Sequence, residues 1–286
     1  MKKIVSLAII LATLLCALML CSCGNSDEIL VNTNAFFAPF EYYDGTEIVG
    51  VDVDIMALVG EKLGKKIKFF NTDFGAIIDN VKEGKICDCG AAGLTITEER
   101  SALVDFSIPY YTSVQYVICS ATSDLGKSLS GDKTYFVWED IAGMAIGVQG
   151  DTTGWIYVDG EINGQESDPD YGYDGVLYGT GSTLKIFDSA QLAADGIGSM
   201  VDVVVVDELP AEYIVSKNSG FVCAPLYYAG ETKADDAPVE EQYAICVTKG
   251  NDELLGAINE VLTDLLKKGD DGLSQVEKMV MEHMGF

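Results

Sequence analysis

The stretch VDVVVVDELPAEY, Val201 to Tyr213, decides the fold. Four consecutive valines, Val203 to Val206, form a run too short for a helix and apolar toward both sides. The run predicts a strand over Val201 to Val206 that is covered on both faces. Glu208 to Ser216 follows at helical spacing. A buried strand running straight into a helix is the repeating unit of a parallel α/β sheet. Asp207 stands at the carboxyl end of that strand, where such sheets gather their ligands.

The same alternation extends outward in both directions. Upstream, strands are predicted over Glu28 to Asn34, Lys66 to Phe70, Cys89 to Leu94, Val114 to Ala121 and Met144 to Val148. Helices are predicted over Val51 to Leu63, Phe74 to Lys82, Thr152 to Val158 and Leu184 to Ala194. Asp52 and Asp54 fall in the first turn of the Val51 helix, where carboxylates suit the helix dipole. Phe36 to Tyr43 reads as an aromatic loop. Gly160 to Gly181 has no periodicity and reads as a surface excursion that could cover a cleft. Downstream come a strand over Tyr243 to Val247 and helices over Asp252 to Lys268 and Leu273 to Met284. The expected fold class is α/β, with mainly parallel sheets flanked by helices.

Charge excludes one class of partner. The 286-residue chain carries 45 acidic against 18 basic side chains, a formal net charge of −27. Phosphate backbones need clustered Lys and Arg, so nucleic acid is excluded as the main partner. There is one histidine, His283, close to the C-terminus, and one arginine, Arg100. Histidine-ligated metal sites and Ser–His or Cys–His nucleophile pairs are therefore disfavoured. No metal or cofactor is expected.

The N-terminus reads as an address. Met1-Lys2-Lys3 is a short positive start, and Ile4 to Ser22 runs without a charge, the pattern of an export signal over residues 1–22. An uncleaved N-terminal anchor is the alternative. Leu20-Cys21-Ser22-Cys23 resembles the lipobox of bacterial lipoproteins, which implies lipidation of Cys23 and a short tether over residues 23–26. The remaining cysteines, Cys87, Cys89, Cys119, Cys223 and Cys246, are odd in number, so at least one thiol is free. They read best as small buried hydrophobes.

Four stretches carry a family resemblance: TNAFFAPFEYYDG (Thr33 to Gly45), VGVDVDIM (Val49 to Met56), AAGLTITEERSALVDFSIPYY (Ala91 to Tyr111) and the Val201 to Tyr213 run. GVQGDTTG (Gly147 to Gly154) is a fifth. In order and spacing they resemble the extracytoplasmic amino-acid-binding proteins of ABC importers, which have the type II periplasmic-binding fold. The resemblance implies two lobes joined by two crossover strands near Tyr110 to Val114 and Val239 to Tyr243. It places lobe 1 at residues 27–113 and 244–286, lobe 2 at 114–243, and the ligand between them. It also implies a free amino acid and the membrane subunits of an ABC permease as partners, a membrane-anchored lipoprotein outside the cytoplasm, and a monomer.

The same resemblance assigns the site, residue by residue. Arg100 would offer its planar fork to the ligand's carboxylate, since a guanidinium matches that group with two parallel bonds. Thr95, and the Thr153 hydroxyl or backbone amide, would complete the carboxylate cradle, with Thr152 beside them. Asp207 and the Gly93 carbonyl would accept from the α-ammonium group, and Phe37 and Phe74 would sandwich the side chain. Asn34 stands where binders of basic amino acids or glutamine carry an aspartate, so a neutral side chain, polar or moderately apolar, is expected. Tyr42, Trp155 and Tyr157 are further candidate wall residues. Each residue also has a plain structural reading. Arg100 could pair with Glu98 or Glu99, Thr152 and Asp207 could be N-caps, and both phenylalanines could be core. Two rival functions stay open: a ligand-sensing receptor of the same fold, and a dehydratase-like enzyme.

Overall fold

In the computed structural model, which describes residues 27–129, 133–164, 175–230 and 232–285, two sheets make two lobes. The N-terminal address and the lipidation expected at Cys23 fall outside the described residues, as does the middle of the Gly160 to Gly181 excursion.

The first sheet begins with β1 (Glu28–Thr33). A small three-stranded sheet follows, β2 (Phe36–Phe37), β3 (Glu41–Asp44) and β4 (Glu47–Val49), where the sequence suggested an aromatic loop. Helix α1 (Val51–Leu63) turns the chain back to β5 (Lys66–Asn71), which pairs in parallel with β1. A short 3₁₀ turn (Phe74–Ala76) and α2 (Ile77–Glu83) lead to β6 (Cys89–Gly90), also parallel to β1. Then come α3 (Glu98–Leu103) and β7 (Asp105–Phe106). Asp52 is not a solvated first-turn residue. It is fully buried, accepting from the Gly93 N–H at 3.1 Å and the Tyr110 hydroxyl at 2.6 Å.

The second sheet is centred on β8 (Tyr111–Ser120). After α4 (Asp124–Ser128) and β9 (Phe136–Val137) come β10 (Ala145–Gln149), α5 (Thr153–Asn163), β11 (Thr183–Phe187) and α6 (Ala190–Asp195). Next are β12 (Val203–Asp207), α7 (Glu208–Lys217), β13 (Phe221–Tyr228) and β14 (Ala237–Pro238). Strand order is β11-β10-β12-β8-β13-β14, with β10 parallel to β11 and β12 but β8 antiparallel to β12 and β13. Parallel pairing thus runs through the strand–helix repeats and recurs where β9 meets β13, and the crossing chain adds antiparallel strands. The helix expected over Leu184 to Ala194 is instead the edge strand β11, a turn and the short α6.

The chain returns through β15 (Glu240–Tyr243), antiparallel to the start of β8 with Tyr243 opposite Tyr111 and Glu241 opposite Ser113. It re-enters the first sheet as β16 (Cys246–Val247), between β6 and β7. Helices α8 (Asp252–Leu265) and α9 (Gln275–Met284) finish the chain. Val31, Ile55, Met56, Val59 and Ile258 are completely buried between β1, α1 and α8, while Val117, Ile146, Val148, Val203 and Val205 fill the second lobe with Trp138 and Phe136. The five cysteines are all free, four of them buried. His283, the lone histidine, is anchored. One ring nitrogen lies 2.8 Å from Asp54 Oδ2 and the other 3.2 Å from the Tyr42 hydroxyl.

Candidate functional site

Period-two geometry brings polar side chains of the crossing strands and of β12 toward one spot. Residues 113 and 115 of β8 face the same side, because alternate strand residues share a face. Glu241 lies opposite Ser113, and Asp207, the last residue of β12, lies opposite Gln115. The Gln115 amide consequently donates to two carboxylates, Asp207 Oδ1 at 3.1 Å and Glu241 Oε1 at 2.8 Å. Asp207 is the N-cap residue of α7 by position, but its side chain makes no cap hydrogen bond. Its carboxyl is turned to the site instead. Burial, and then the neighbouring Glu241, hold it well above the usual carboxylate range.

From the first lobe, the Gly93 to Arg100 segment faces this group. Gly93 has φ 54°, and a Cβ there would come within 2.7 Å of the Phe37 ring. Thr95 Oγ1 donates to Glu241 Oε2 at 2.5 Å, and Thr153 Oγ1, from the second lobe, donates to the same oxygen at 2.6 Å. Both hydroxyl protons are thus committed to Glu241. Thr153 opens α5, so its backbone N–H is one of the first four, which no helical carbonyl can take and which favour an anion. Thr152 does cap that helix, accepting from Trp155 N at 3.2 Å while donating to Gln149 O at 2.8 Å.

A narrow, nearly closed cavity lies between the lobes, lined by Asn34, Phe37, Phe74, Gly93 and Thr95 on one side. Gln149, Thr152, Thr153 and Asp207 line the other. Of the nine residues assigned to ligand binding from the sequence, all but Arg100 line it, the further wall candidates Tyr42, Trp155 and Tyr157 do not, and Gln149 was not expected. Asn34 and Gln149 close the cavity between lobes, with Gln149 Nε2 donating to Asn34 Oδ1 at 3.1 Å. Asn34 Nδ2 donates to Thr72 O, and Gln149 Oε1 accepts from Ala190 N.

Arg100 stands at the cavity's edge, in a groove shared with Phe74, Glu99, Asp151 and Trp155. Its guanidinium donates to one backbone carbonyl from each lobe, Thr95 O and Asp151 O, both at 3.0 Å, and lies over the Phe74 ring at 5.5 Å. Neither Glu98 nor Glu99 is paired with it by a salt bridge in the structure. Burial pulls its pKa down, and Glu241 is the first of the anions opposing that. Asp151 holds φ 62°, a conformation side chains seldom take. Of the other wall candidates, Trp155 lines the Arg100 groove and Tyr42 packs on Tyr213 and His283, away from the cavity. Burial pushes the Tyr157 phenol up to about 12, with Glu241 and Asp207 contributing.

Gln115, Gln149 and Glu241 escaped the sequence reading. Polar residues at alternate positions of a strand normally mean a solvated face. Only the pairing of β15 with β8 shows that Glu241 points inward. Among the described residues, no group of His, Cys, Asp and Glu could hold a metal ion, and no helix is long and apolar enough to cross a membrane.

Comparison with known proteins agrees with this architecture. The arginine-binding extracellular protein ArtP of Bacillus subtilis is 28% identical over 274 residues, covering 92% of this chain and 93% of that protein. An L-arginine-binding protein of Pseudomonas aeruginosa is 27% identical, covering 94% and 93%. Among solved structures, an ancestral arginine-binding protein bound to arginine is 30% identical with a TM-score of 0.69, covering 92% of this chain and all of the other. A structure of an ancestral arginine-binding protein bound to glutamine is 31% identical with a TM-score of 0.68, at the same coverage. Residues 29–272 match the model of one family across both lobes and both crossings. The chain belongs to the bacterial extracellular solute-binding proteins, family 3.

Proposed function

We propose that the chain captures a free α-amino acid between its lobes and delivers it to the membrane subunits of an ABC importer. The observation that carries this reading is the cavity between the lobes, with the buried Asp207 carboxyl on its wall and the chain's single guanidinium at its edge. A zwitterion needs both an anion and a cation, and few other ligands use both at one end. In this reading lobe 1 is residues 27–113 and 244–286, lobe 2 is 114–243, and β8 and β15 are the hinge. Arg100 leaves its two carbonyls to take the ligand's carboxylate, helped by the Thr153 N–H, while Asp207 and the Gly93 carbonyl take the ammonium group. The Cys23 lipid ties the protein to the outer face of the membrane.

The ligand's side chain lies between Phe37 and Phe74 and meets two amides, Asn34 and Gln149. An amide offers both donor and acceptor and carries no charge, so a neutral polar side chain fits best. The names of the relatives favour a second reading, arginine, whose guanidinium could stack on the same two rings. Calorimetric titration with the twenty amino acids decides both points. Micromolar binding, about −8 kcal/mol, is expected for neutral polar amino acids. Arginine binding ten times tighter would assign the site to a cationic ligand, and silence across the panel would overturn the amino-acid reading. Mass spectrometry of the exported protein, expected to begin at a diacylglyceryl Cys23, checks the anchor.

A further inference from the structure

Glu241 lines no part of the cavity, yet it holds three of the groups around it. It accepts from Thr95 in one lobe, Thr153 in the other and Gln115 on the neighbouring crossing strand, and it is 3% exposed. A hydroxyl has one proton. With the protons of Thr95 and Thr153 both given to Glu241, those hydroxyls present only lone pairs to a ligand. They can accept from an ammonium group and cannot donate to a carboxylate. The expectation that the Thr95 hydroxyl cradles the ligand's carboxylate is at odds with this polarity, and of the two groups expected from Thr153, hydroxyl or backbone amide, only the amide can serve there.

Resting on the amino-acid reading above, we propose that Glu241 is the positioning residue of a primary-ammonium subsite. It turns Thr95 and Thr153 into acceptors and sets a second carboxylate behind Asp207. Two acids bridged by one Gln115 amide leave Asp207 with a proton that an arriving ammonium group displaces. The carboxyl O–H of Asp207 breaks, its proton passes to solvent, and the resulting carboxylate accepts from the ligand's ammonium. Capture therefore releases protons, and affinity weakens as pH falls.

Other ionisable groups surround the pair. Arg100 of α3 supplies the nearby cation. Tyr243 of β15 and Tyr157 of α5 are phenols held above their ordinary range. Deeper in lobe 1 lie Glu41 of β3 and, against it, Asp52 of α1, which titrate but bond neither Glu241 nor either threonine. Glu41 also feels the charge of Asp207, so the comparison of wild type and variant is made a second time in a Glu41→Gln background, where the difference belongs to Glu241 and Asp207.

The test is calorimetric titration of the protein with the amino acid found to bind, in two buffers of different ionisation heat, between pH 5 and 7. Wild type is expected to release protons increasingly as pH falls. Glu241→Gln is expected to bind at least tenfold more weakly and to release fewer protons. Its amide donates to one threonine, turning that hydroxyl's proton into the cavity, and it removes the charge. Equal affinity and equal proton release in the two proteins overturn the proposal. If Glu241→Gln fails to melt cooperatively, Glu241→Asp replaces it. That variant keeps the charge but retreats from both threonines, so weaker binding with proton release retained is expected, and unchanged affinity overturns the proposal. Absence of any amino-acid binding by wild type overturns instead the reading on which this one rests.

Discussion

At the scale of single residues, Gly93 and Arg100 make the sharpest demands. Gly93 combines a positive φ with a Cβ direction that points into the Phe37 ring, and its N–H is held by buried Asp52. Gly93→Ala is expected to cost about 1–3 kcal/mol of stability and to weaken amino-acid binding by displacing the Phe37 wall. Urea unfolding and titration check both, and an unchanged variant would refute the assigned strain. Arg100→Ala is expected to weaken binding by two orders of magnitude or more, about 3 kcal/mol for a lost charge-assisted pair. Arg100→Lys should recover only part of that, because an ammonium lacks the planar fork. Full recovery with lysine would show that the guanidinium geometry is not used.

At the scale of elements, α5 and the turn before α2 form the two sides of the closed cleft. Thr152→Ala removes the cap of α5 and is expected to cost about 1 kcal/mol, while Thr152→Ser should not, as thermal melting would show. Gly75 in the 3₁₀ turn faces Asp151 across the lobes, and a Cβ there would stand 2.2 Å from its Oδ2. Gly75→Ala is thus expected to hold the lobes apart. Affinity should fall about tenfold, on the order of 1.4 kcal/mol, and scattering with ligand should show a larger radius of gyration than wild type. Much at this scale was legible in sequence. The α1 boundaries and the turn from β12 into α7 followed from apolar spacing alone. The failures have local causes. In Thr183–Phe187 the apolar residues also satisfy a helical period, and what makes them a strand is pairing with β10, which no local pattern encodes. Phe221–Tyr228 went unread, and Pro225, which ordinarily argues against a paired strand, is one reason. The candidate site was legible where a motif fixed it and illegible where strand register did, as with Glu241 and Gln115.

For the whole molecule, the buried acids set a pH dependence of stability opposite to the common one. Glu41 and Asp52 are both completely buried in lobe 1. Desolvation raises Glu41 well above its ordinary value and Asp52 to about 6. A carboxyl whose folded pKa exceeds its unfolded one binds protons preferentially in the native state. Its contribution is complete below about pH 4 and is lost as pH rises through its folded value. For Asp52 that loss is on the order of 2–3 kcal/mol, so the ligand-free protein is expected to melt at lower temperature at pH 7 than at pH 5. Glu41→Gln should flatten the slope, and a melting point that rises steadily from pH 5 to 7 would contradict the assignment. Overall negative charge works in the same direction, since repulsion grows as acids ionise. The chain's single arginine has a practical corollary. A dicarbonyl reagent, which condenses with guanidinium groups, has one address on this protein, and that address is tied to a carbonyl of each lobe. The rate at which the adduct forms then measures how often the two lobes part, giving an opening clock that needs no dye and no engineered cysteine.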